Sequence, residues 1–196
     1  IGAGFDMLSA GLPREARVFE VDLPATQRAK QEALRESTES PRALGDVTYV
    51  PIDLSTSSLL AGLRNAEGFD PSADTVFVAE GLLMYLDRSA VEAIFADVMG
   101  MEGRVRLVAS FVTPDAKGRV RLHSQRKIVD VCMRLLGERF VWGESVERLE
   151  QTLASYGLVL ETVSSTTELD DVASAPIRGR RRTGEVIVVA SGKHER

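Results

Sequence analysis

The chain of 196 residues is long enough for a substantial single core, and we predict that residues 1–196 form one domain. Hydrophobic residues make up 44% and charged residues 27% of the chain, values typical of a soluble globular protein. The net charge of −5 argues against nonspecific nucleic-acid binding. Because the sequence has no apolar run of about 18 residues, we predict no membrane span, and we identify no secretory signal.

The chain opens on a glycine-rich turn, Ile1-Gly2-Ala3-Gly4-Phe5-Asp6. Glycine has no Cβ and tolerates positive φ, so such a turn lets the backbone approach a ligand closely. An apolar run that ends at Asp22 follows, about 20 positions on, where a Rossmann-type sheet holds ribose hydroxyls. The pair favours a nucleotide site over an ordinary strand-to-loop turn. A doubly wound fold would already have passed through most of its first strand here, so we expect a truncated first strand that residues upstream of Ile1 complete.

The rest of the chain alternates between apolar runs and charged helical patterns. Strands are predicted at residues 17–21, 47–52, 75–79, 104–111, 158–163 and 185–190, and helices at 25–36, 57–66, 90–99, 119–136 and 145–156. The strongly charged helix 25–36 is predicted to face solvent, and residues 87–89 and Ser145 are predicted N-caps. This alternation indicates an α/β doubly wound sheet.

The predicted strand ends share a chemical property, because each carries either the glycine turn or an acid. In chain order they are Gly2 with Gly4, Asp22, Asp53 and Glu80. Ligands of open α/β sheets bind beyond the carboxyl ends of the strands, so we predict that these residues surround one cavity. A pyrophosphate cofactor favours a third glycine and no acid at this position, where the chain has Asp6 and Met7. Carboxylates suit hydroxyls, an amine and a sulfonium, so S-adenosylmethionine fits better than a dinucleotide.

Three acids in or beside these strands also have a structural interpretation. Glu20 is either a solvated strand residue or a support for the site. Asp53 is either a ligand contact or a cap for the following helix. Glu80 is either at the site or a satisfied buried acid, and the neighbouring Gly81 indicates a close backbone approach.

Four motifs resemble those of the leucine carboxyl methyltransferase-like family, which includes many bacterial S-adenosylmethionine-dependent O-methyltransferases. They are residues 1–6, 19–24, 51–54 and 79–86. The resemblance implies a Rossmann-like class I methyltransferase fold, with a mostly parallel seven-stranded sheet whose last strand is inserted antiparallel. Two departures are the dipeptide Met7-Leu8, where bacterial members usually have Thr-Arg, and the family's N-terminal helical segment, which the sequence does not contain.

The resemblance also implies cofactor contacts for a set of motif residues. They are Gly2, Ala3, Gly4, Asp22, Asp53, Leu54, Glu80 and Gly81. In this interpretation the glycine turn lies against the methionine part of S-adenosylmethionine and Asp22 binds the ribose. Asp53 and Leu54 contact the adenine, and Glu80 lies near the sulfonium and its amino group.

Candidates for acceptor chemistry are fewer. His123 is the candidate general base, needed only for a hydroxyl acceptor, but a lone histidine on a basic helix is also a common surface residue. Tyr85 either touches substrate or packs in the core, and Trp142 either lines the acceptor pocket or has a packing role. Three arginines either hold an acidic substrate or form a solvated face: Arg119, Arg121 and Arg126.

We therefore predict an S-adenosylmethionine-dependent O-methyltransferase that acts on a hydroxyl or carboxyl of a small, polyketide-like metabolite, selected by the variable segment 113–143. The alternatives are a protein C-terminal carboxyl methyltransferase and a non-catalytic or NAD-type nucleotide-binding module. The single cysteine, Cys132, allows neither an internal disulfide nor a structural zinc site, so we predict no metal and a cytoplasmic location.

Overall fold

The computed structural model describes residues 1–13, 15–36, 47–120, 140–165, 168 and 184–192. The strands are β1 (Val18–Asp22), β2 (Val47–Pro51), β3 (Thr75–Ala79), β4 (Val105–Val112), β5 (Leu158–Ser165) and β6 (Glu185–Gly192). The α-helices are α1 (Pro24–Glu36), α2 (Leu59–Arg64), α3 (Arg88–Met99) and α4 (Val146–Ser155), and short 3₁₀ helices cover Leu8–Gly11 and Leu83–Tyr85. These bounds agree with the predicted ones to within two residues. The predicted helix 119–136 is the exception, because residues 119 and 120 are not helical and residues 121–136 lie outside the described residues.

The strand pairing confirms an α/β fold with an inserted last strand. Strand β1 pairs in parallel with β2, and β3 pairs in parallel with β4. Strand β6 lies antiparallel between β4 and β5. The expected seven-stranded sheet differs in detail, because the described residues contain six strands in separate sheets of two and four.

The first two residues of the chain lie between these two sheets. The Ile1 amino group donates to the Val78 carbonyl oxygen of β3 at 2.6 Å, and the Gly2 N–H donates to the Val21 carbonyl oxygen of β1 at 2.7 Å. Residues 1 and 2 thus take the place between β1 and β3 that a first strand takes in a doubly wound sheet. Since so short a segment forms no strand ladder of its own, the described strands form two sheets.

An apolar core supports the larger sheet from the side of α3. Phe95 of α3 and Phe111 of β4 are both fully buried, with ring centroids 6.5 Å apart. Trp142 continues this aromatic packing, with its ring 5.4 Å from that of Phe111. Burying one such side chain stabilises a fold by about 1.5–3 kcal/mol, so this packing stabilises the carboxyl end of β4, which carries Phe111.

Helix α1 contradicts the prediction of a solvent-facing helix in one respect. Its buried residues are polar: Gln27 is 3% exposed and Lys30 is 2% exposed. The Gln27 Nε2 donates to the carbonyl oxygens of Glu20 at 2.6 Å and Val50 at 3.2 Å, which lie on the two neighbouring strands. The helix therefore docks on the β1–β2 sheet through hydrogen bonds, which an analysis of apolar periodicity does not detect.

Candidate functional site

Asp22, at the end of β1, is in direct contact with the glycine turn. Its Oδ2 accepts the Gly4 N–H at 2.7 Å, and its Oδ1 accepts the Leu23 N–H at 2.6 Å. Gly2 has φ of 64° and Gly4 has φ of 46°, a left-handed conformation that side chains disfavour. The structure thus brings together the turn and the acid that the sequence places 18 residues apart.

The same turn also contacts the loop that follows β3. A Cβ added at Gly2 would lie only 2.9 Å from Leu82 Cβ, so a larger residue does not fit there. Gly81 has φ of 65°, and its N–H donates at 2.8 Å to the hydroxyl of Ser110, which is buried in β4. Glu80 is exposed, so the interpretation of it as a buried acid is wrong. Its carboxylate has no hydrogen bond or ion pair within the described part of the chain.

Asp53 follows β2 and lies beside the end of β1, because the neighbouring Ile52 N–H donates to the Asp22 carbonyl oxygen at 3.0 Å. The Asp53 Oδ1 accepts the Ser55 hydroxyl at 2.6 Å and the Ser55 N–H at 2.9 Å. These two hydrogen bonds, the hydroxyl first, lower the pKa of Asp53 below its usual value. The carboxylate is therefore ionised and oriented.

Helix α2 is capped by Ser58 and not by Asp53. Ser58 is the N-cap and accepts the Ala61 N–H through its hydroxyl, so the interpretation of Asp53 as the helix cap is wrong. Leu54, the predicted partner of Asp53 in adenine contact, is 7% exposed and belongs to the hydrophobic core. Because its side chain packs in the core, only the backbone of Leu54 is available for contact with the adenine.

A buried charged cluster lies behind the site, and sequence reasoning missed most of it. Glu20 is 7% exposed, so the interpretation of it as a solvated strand residue is wrong. The Lys30 Nζ lies 2.7 Å from Glu20 Oε2 and donates at 2.5 Å to the Asp6 carbonyl oxygen. Burial, and next the charge of Glu20, raise the pKa of the facing Tyr49. The available signal was the three-residue spacing of Gln27 and Lys30, which places both on one face of α1.

The candidates for acceptor contact divide between surface and core. Tyr85 is 38% exposed, and its ring centroid lies 5.3 Å from that of Phe140. Two successive N–H groups, those of Val141 and Trp142, donate to the Met84 carbonyl oxygen at 2.7 and 3.3 Å. This connection joins the end of the variable segment to the loop after β3. Trp142 itself is 6% exposed, which supports a packing role.

Three predicted candidates lie outside the described residues, namely His123, Arg121 and Arg126, as does the single cysteine, Cys132. Arg119 is described, and it forms an ion pair at 2.7 Å with Asp115. The hydrogen bond from Arg119 holds the pKa of Asp115 far below its usual value. Because Arg119 is half-exposed and already paired, it agrees with a solvated face.

Other kinds of site are limited in the described residues. They contain no group of three or more His, Cys, Asp or Glu residues that could hold a metal ion. None of their helices is long and apolar enough to cross a membrane.

A cleft of about 310 Å³ lies between α1 and β2 and is not lined by the acids at the strand ends. Its lining residues are Pro24, Gln27, Arg28, Gln31, Tyr49 and Pro51.

The arrangement of strands, glycine turn and acids defines a Rossmann-like protein, and comparison with solved structures confirms that class. An S-adenosylmethionine-dependent methyltransferase from Mesorhizobium loti matches with a TM-score of 0.57 and 18% identity, over 97% of this chain and 88% of that one. A magnesium protoporphyrin IX methyltransferase from Synechocystis PCC 6803, solved with bound SAH, matches with a TM-score of 0.52 and 16% identity, over 98% and 72% of the two chains. At these identities the likeness shows the fold alone.

The family follows from the sequence comparison. The model of the leucine carboxyl methyltransferase family matches residues 1–99, and the chain belongs to that family. A Mycobacterium sp. (strain KMS) protein named "Putative S-adenosyl-L-methionine-dependent methyltransferase" is 34% identical over 128 residues, which are 64% of this chain and 42% of that protein. The chain therefore spans about two fifths of the length of this curated relative. These findings confirm the resemblance noted in the motifs.

Proposed function

We propose that the chain binds S-adenosylmethionine at the carboxyl edge of its sheet, as part of an O-methyltransferase that acts on a hydroxyl or carboxyl of a small metabolite. The observation that carries the proposal is the contact between Asp22 Oδ2 and the Gly4 N–H at 2.7 Å, in a turn that also packs on Leu82 beside Glu80. Family membership and the names of the curated relatives support the same cofactor.

The residues at this edge fit the chemistry of that cofactor. Each carboxylate oxygen has two lone pairs, so Asp22 keeps acceptor capacity for ribose hydroxyls after binding the Gly4 and Leu23 N–H groups. Asp53 is ionised and suits the exocyclic amine of adenine. The exposed Glu80 suits a cationic amino group or sulfonium.

The chemical step places modest demands on the protein. S-adenosylmethionine supplies an activated methyl group, whose bond to sulfur breaks as its bond to the acceptor oxygen forms. The main task of the chain is then to orient the acceptor and exclude water. An ionised carboxylate acceptor needs no base, whereas a hydroxyl acceptor must lose its proton, for which His123 remains our candidate. We further propose that the Tyr85–Phe140 ring pair contacts an apolar, polyketide-like acceptor.

Calorimetry with two ligands tests the cofactor. S-adenosylhomocysteine and NAD should be titrated into this chain and into the same chain extended upstream of Ile1. We expect S-adenosylhomocysteine to bind and NAD not to bind, because the edge presents acids where a pyrophosphate would lie. Binding of NAD alone would favour a dinucleotide module, and binding of neither ligand to either chain would end the methyltransferase proposal.

A protein carboxyl group is the second candidate acceptor, and the family description, leucine carboxyl methyltransferase, is consistent with a carboxyl acceptor. A protein carboxyl and a small hydroxyl compound give products of different stability, and a methyl ester of a small carboxyl is separated from both by its absence from the protein fraction. A methyl ester on a protein acceptor hydrolyses in mild base, whereas the methyl ether of a small hydroxyl compound does not. Incubation with labelled cofactor and a cell extract, followed by base treatment of the protein fraction, separates the two. We also propose a cytoplasmic location, on the basis of the single cysteine.

A further inference from the structure

A buried ion pair lies beneath the loop that leads away from the glycine turn. Glu20 of β1 is 7% exposed and Lys30 of α1 is 2% exposed. The Lys30 Nζ and the Glu20 Oε2 are 2.7 Å apart. Glu20 lies two residues before Asp22 in β1, and Lys30 lies in α1, the helix that follows Asp22.

Each member of the pair also holds the loop itself. The Lys30 Nζ donates to the Asp6 carbonyl oxygen at 2.5 Å, and Glu20 Oε1 accepts the Ser9 hydroxyl at 3.0 Å. These two hydrogen bonds and the one from the Gly4 N–H to Asp22 hold the turn and the loop at three points. All three points are attached to β1 or α1, so loop and strand end form one unit.

Apolar packing does not hold this loop in place. Phe5 is 62% exposed, Met7 39% and Leu8 49%, so the loop's large apolar side chains contribute little to the core. A buried ion pair also contributes little net stability, because the loss of hydration offsets the attraction between its charges. We therefore expect the ion pair to fix the position of the loop, because both charged side chains keep their hydrogen bonds to the loop only when it lies in this position.

We propose that Glu20 and Lys30 are positioning residues for the cofactor: they hold residues 5–9 so that the Gly2–Gly4 turn faces Asp22. The inference rests on the proposed function, because it concerns the same site. Neither residue is expected to touch the ligand. Their effect is transmitted through Asp6 and Ser9 to the turn.

The test is a double variant that removes both charges and preserves apolar volume, Glu20→Leu/Lys30→Met. Replacing a buried ion pair in this way is often neutral or stabilising, so we expect an unchanged or higher Tm. We also expect the Kd for S-adenosylhomocysteine to rise at least tenfold, measured by calorimetry. Amide hydrogen exchange of residues 5–11 should become faster, which a purely structural role would not predict at constant Tm.

A control variant, Asp74→Asn/Arg104→Gln, removes an exposed ion pair at the amino ends of β3 and β4, far from the strand ends that carry the acids. It should leave the Kd unchanged. An unchanged Kd in the Glu20/Lys30 double variant would overturn the positioning role and leave the proposed function standing. No binding by the unaltered chain, extended or not, would overturn both.

A milder variant covers the case in which the double variant does not fold. Ser9→Ala keeps the ion pair and removes only the contact of Glu20 with the loop. We expect a severalfold higher Kd for S-adenosylhomocysteine with a Tm close to that of the unaltered chain. An unchanged Kd for this variant, together with unchanged exchange at residues 5–11, would contradict the inference.

Discussion

At the scale of single residues, Asp22 combines a structural contact with a proposed ligand contact. Both of its carboxylate oxygens accept backbone N–H groups, so the side chain is oriented before any ligand arrives. A preorganised group loses little conformational freedom on binding. The glycine turn and the ribose contact are therefore one structural feature, and a change at Asp22 should affect both.

Asp22→Ala should reduce the affinity for S-adenosylhomocysteine by about 100-fold or more, because hydrogen bonds to a charged group are worth about 1.5–3 kcal/mol each. Calorimetry measures the affinity, and circular dichroism should report an intact fold, since Asp22 is only half-buried at a strand end. Unchanged affinity would remove the ribose assignment.

Asp53 allows a closely matched comparison with Asp70. Each carboxylate accepts the hydroxyl and the N–H of the serine two residues on, Ser55 and Ser72, and each has a lowered pKa for that reason. Asp53→Ala and Asp70→Ala should thus lower Tm by similar amounts. Only Asp53→Ala should weaken cofactor binding, by about tenfold for one lost hydrogen bond. Equal affinities of the two variants would contradict the adenine assignment.

At the scale of elements, the sequence predicts those features that depend on local chemistry. Asp87 and Ser145 begin α3 and α4 as N-caps, each accepting the N–H three residues on. Apolar runs likewise predict the positions of the strands, since they too are a local feature of the sequence. The sequence does not predict the docking of α1, because its inward face carries the polar residues Gln27 and Lys30, whose partners lie on β1 and β2.

The sequence predicts the site residues that stand at the end of an apolar run, as Asp22, Asp53 and Glu80 do. The environment of these acids was not predicted, since burial depends on how the neighbouring loops pack. Glu20 and Glu80 illustrate this limit: they are acids in or beside similar strands, yet the first is buried in an ion pair and the second is exposed.

Gly2 and Gly68 both have a positive φ, but only Gly2 lies close to another side chain. Gly2→Ala meets two penalties, the left-handed φ of 64° and the approach of Leu82 Cβ to 2.9 Å, whereas Gly68→Ala, with φ of 77° and nothing within 4 Å, meets only the first. The left-handed conformation costs about 1–2 kcal/mol. We expect Gly68→Ala to lower the free energy of unfolding by about that amount and to leave cofactor affinity unchanged.

Gly2→Ala should lower the free energy of unfolding further and weaken S-adenosylhomocysteine binding, because the turn must move away from Leu82. Denaturant unfolding and calorimetry on the two variants provide the comparison. Equal destabilisation at both positions would show that the close approach at Gly2 has no energetic consequence.

At the scale of the whole molecule, the two sheets meet at Ile1, whose amino group is buried against β3. Burial lowers the pKa of this amino group to about 6 from its ordinary 8.0. The unfolded chain therefore binds more protons than the folded one between those values, and stability rises with pH across that window.

In a polypeptide that begins at Ile1, the free energy of unfolding should increase from pH 6 to pH 8 by about 2 kcal/mol. Adding one residue before Ile1 replaces the amine by an uncharged amide and should remove most of this dependence. Denaturant unfolding across the pH range measures both chains. Equal pH profiles would mean that the Ile1 nitrogen is not buried between the sheets.

We propose that the glycine turn and three acids at separate strand ends, Asp22, Asp53 and Glu80, form one S-adenosylmethionine site. A crystal structure of the complex with S-adenosylhomocysteine tests it most directly. We predict the ribose hydroxyls on the Asp22 carboxylate, the adenine beside Asp53 and Leu54, and the amino group near Glu80. A ligand bound elsewhere, such as in the cleft between α1 and β2, without contact to these acids would contradict this assignment.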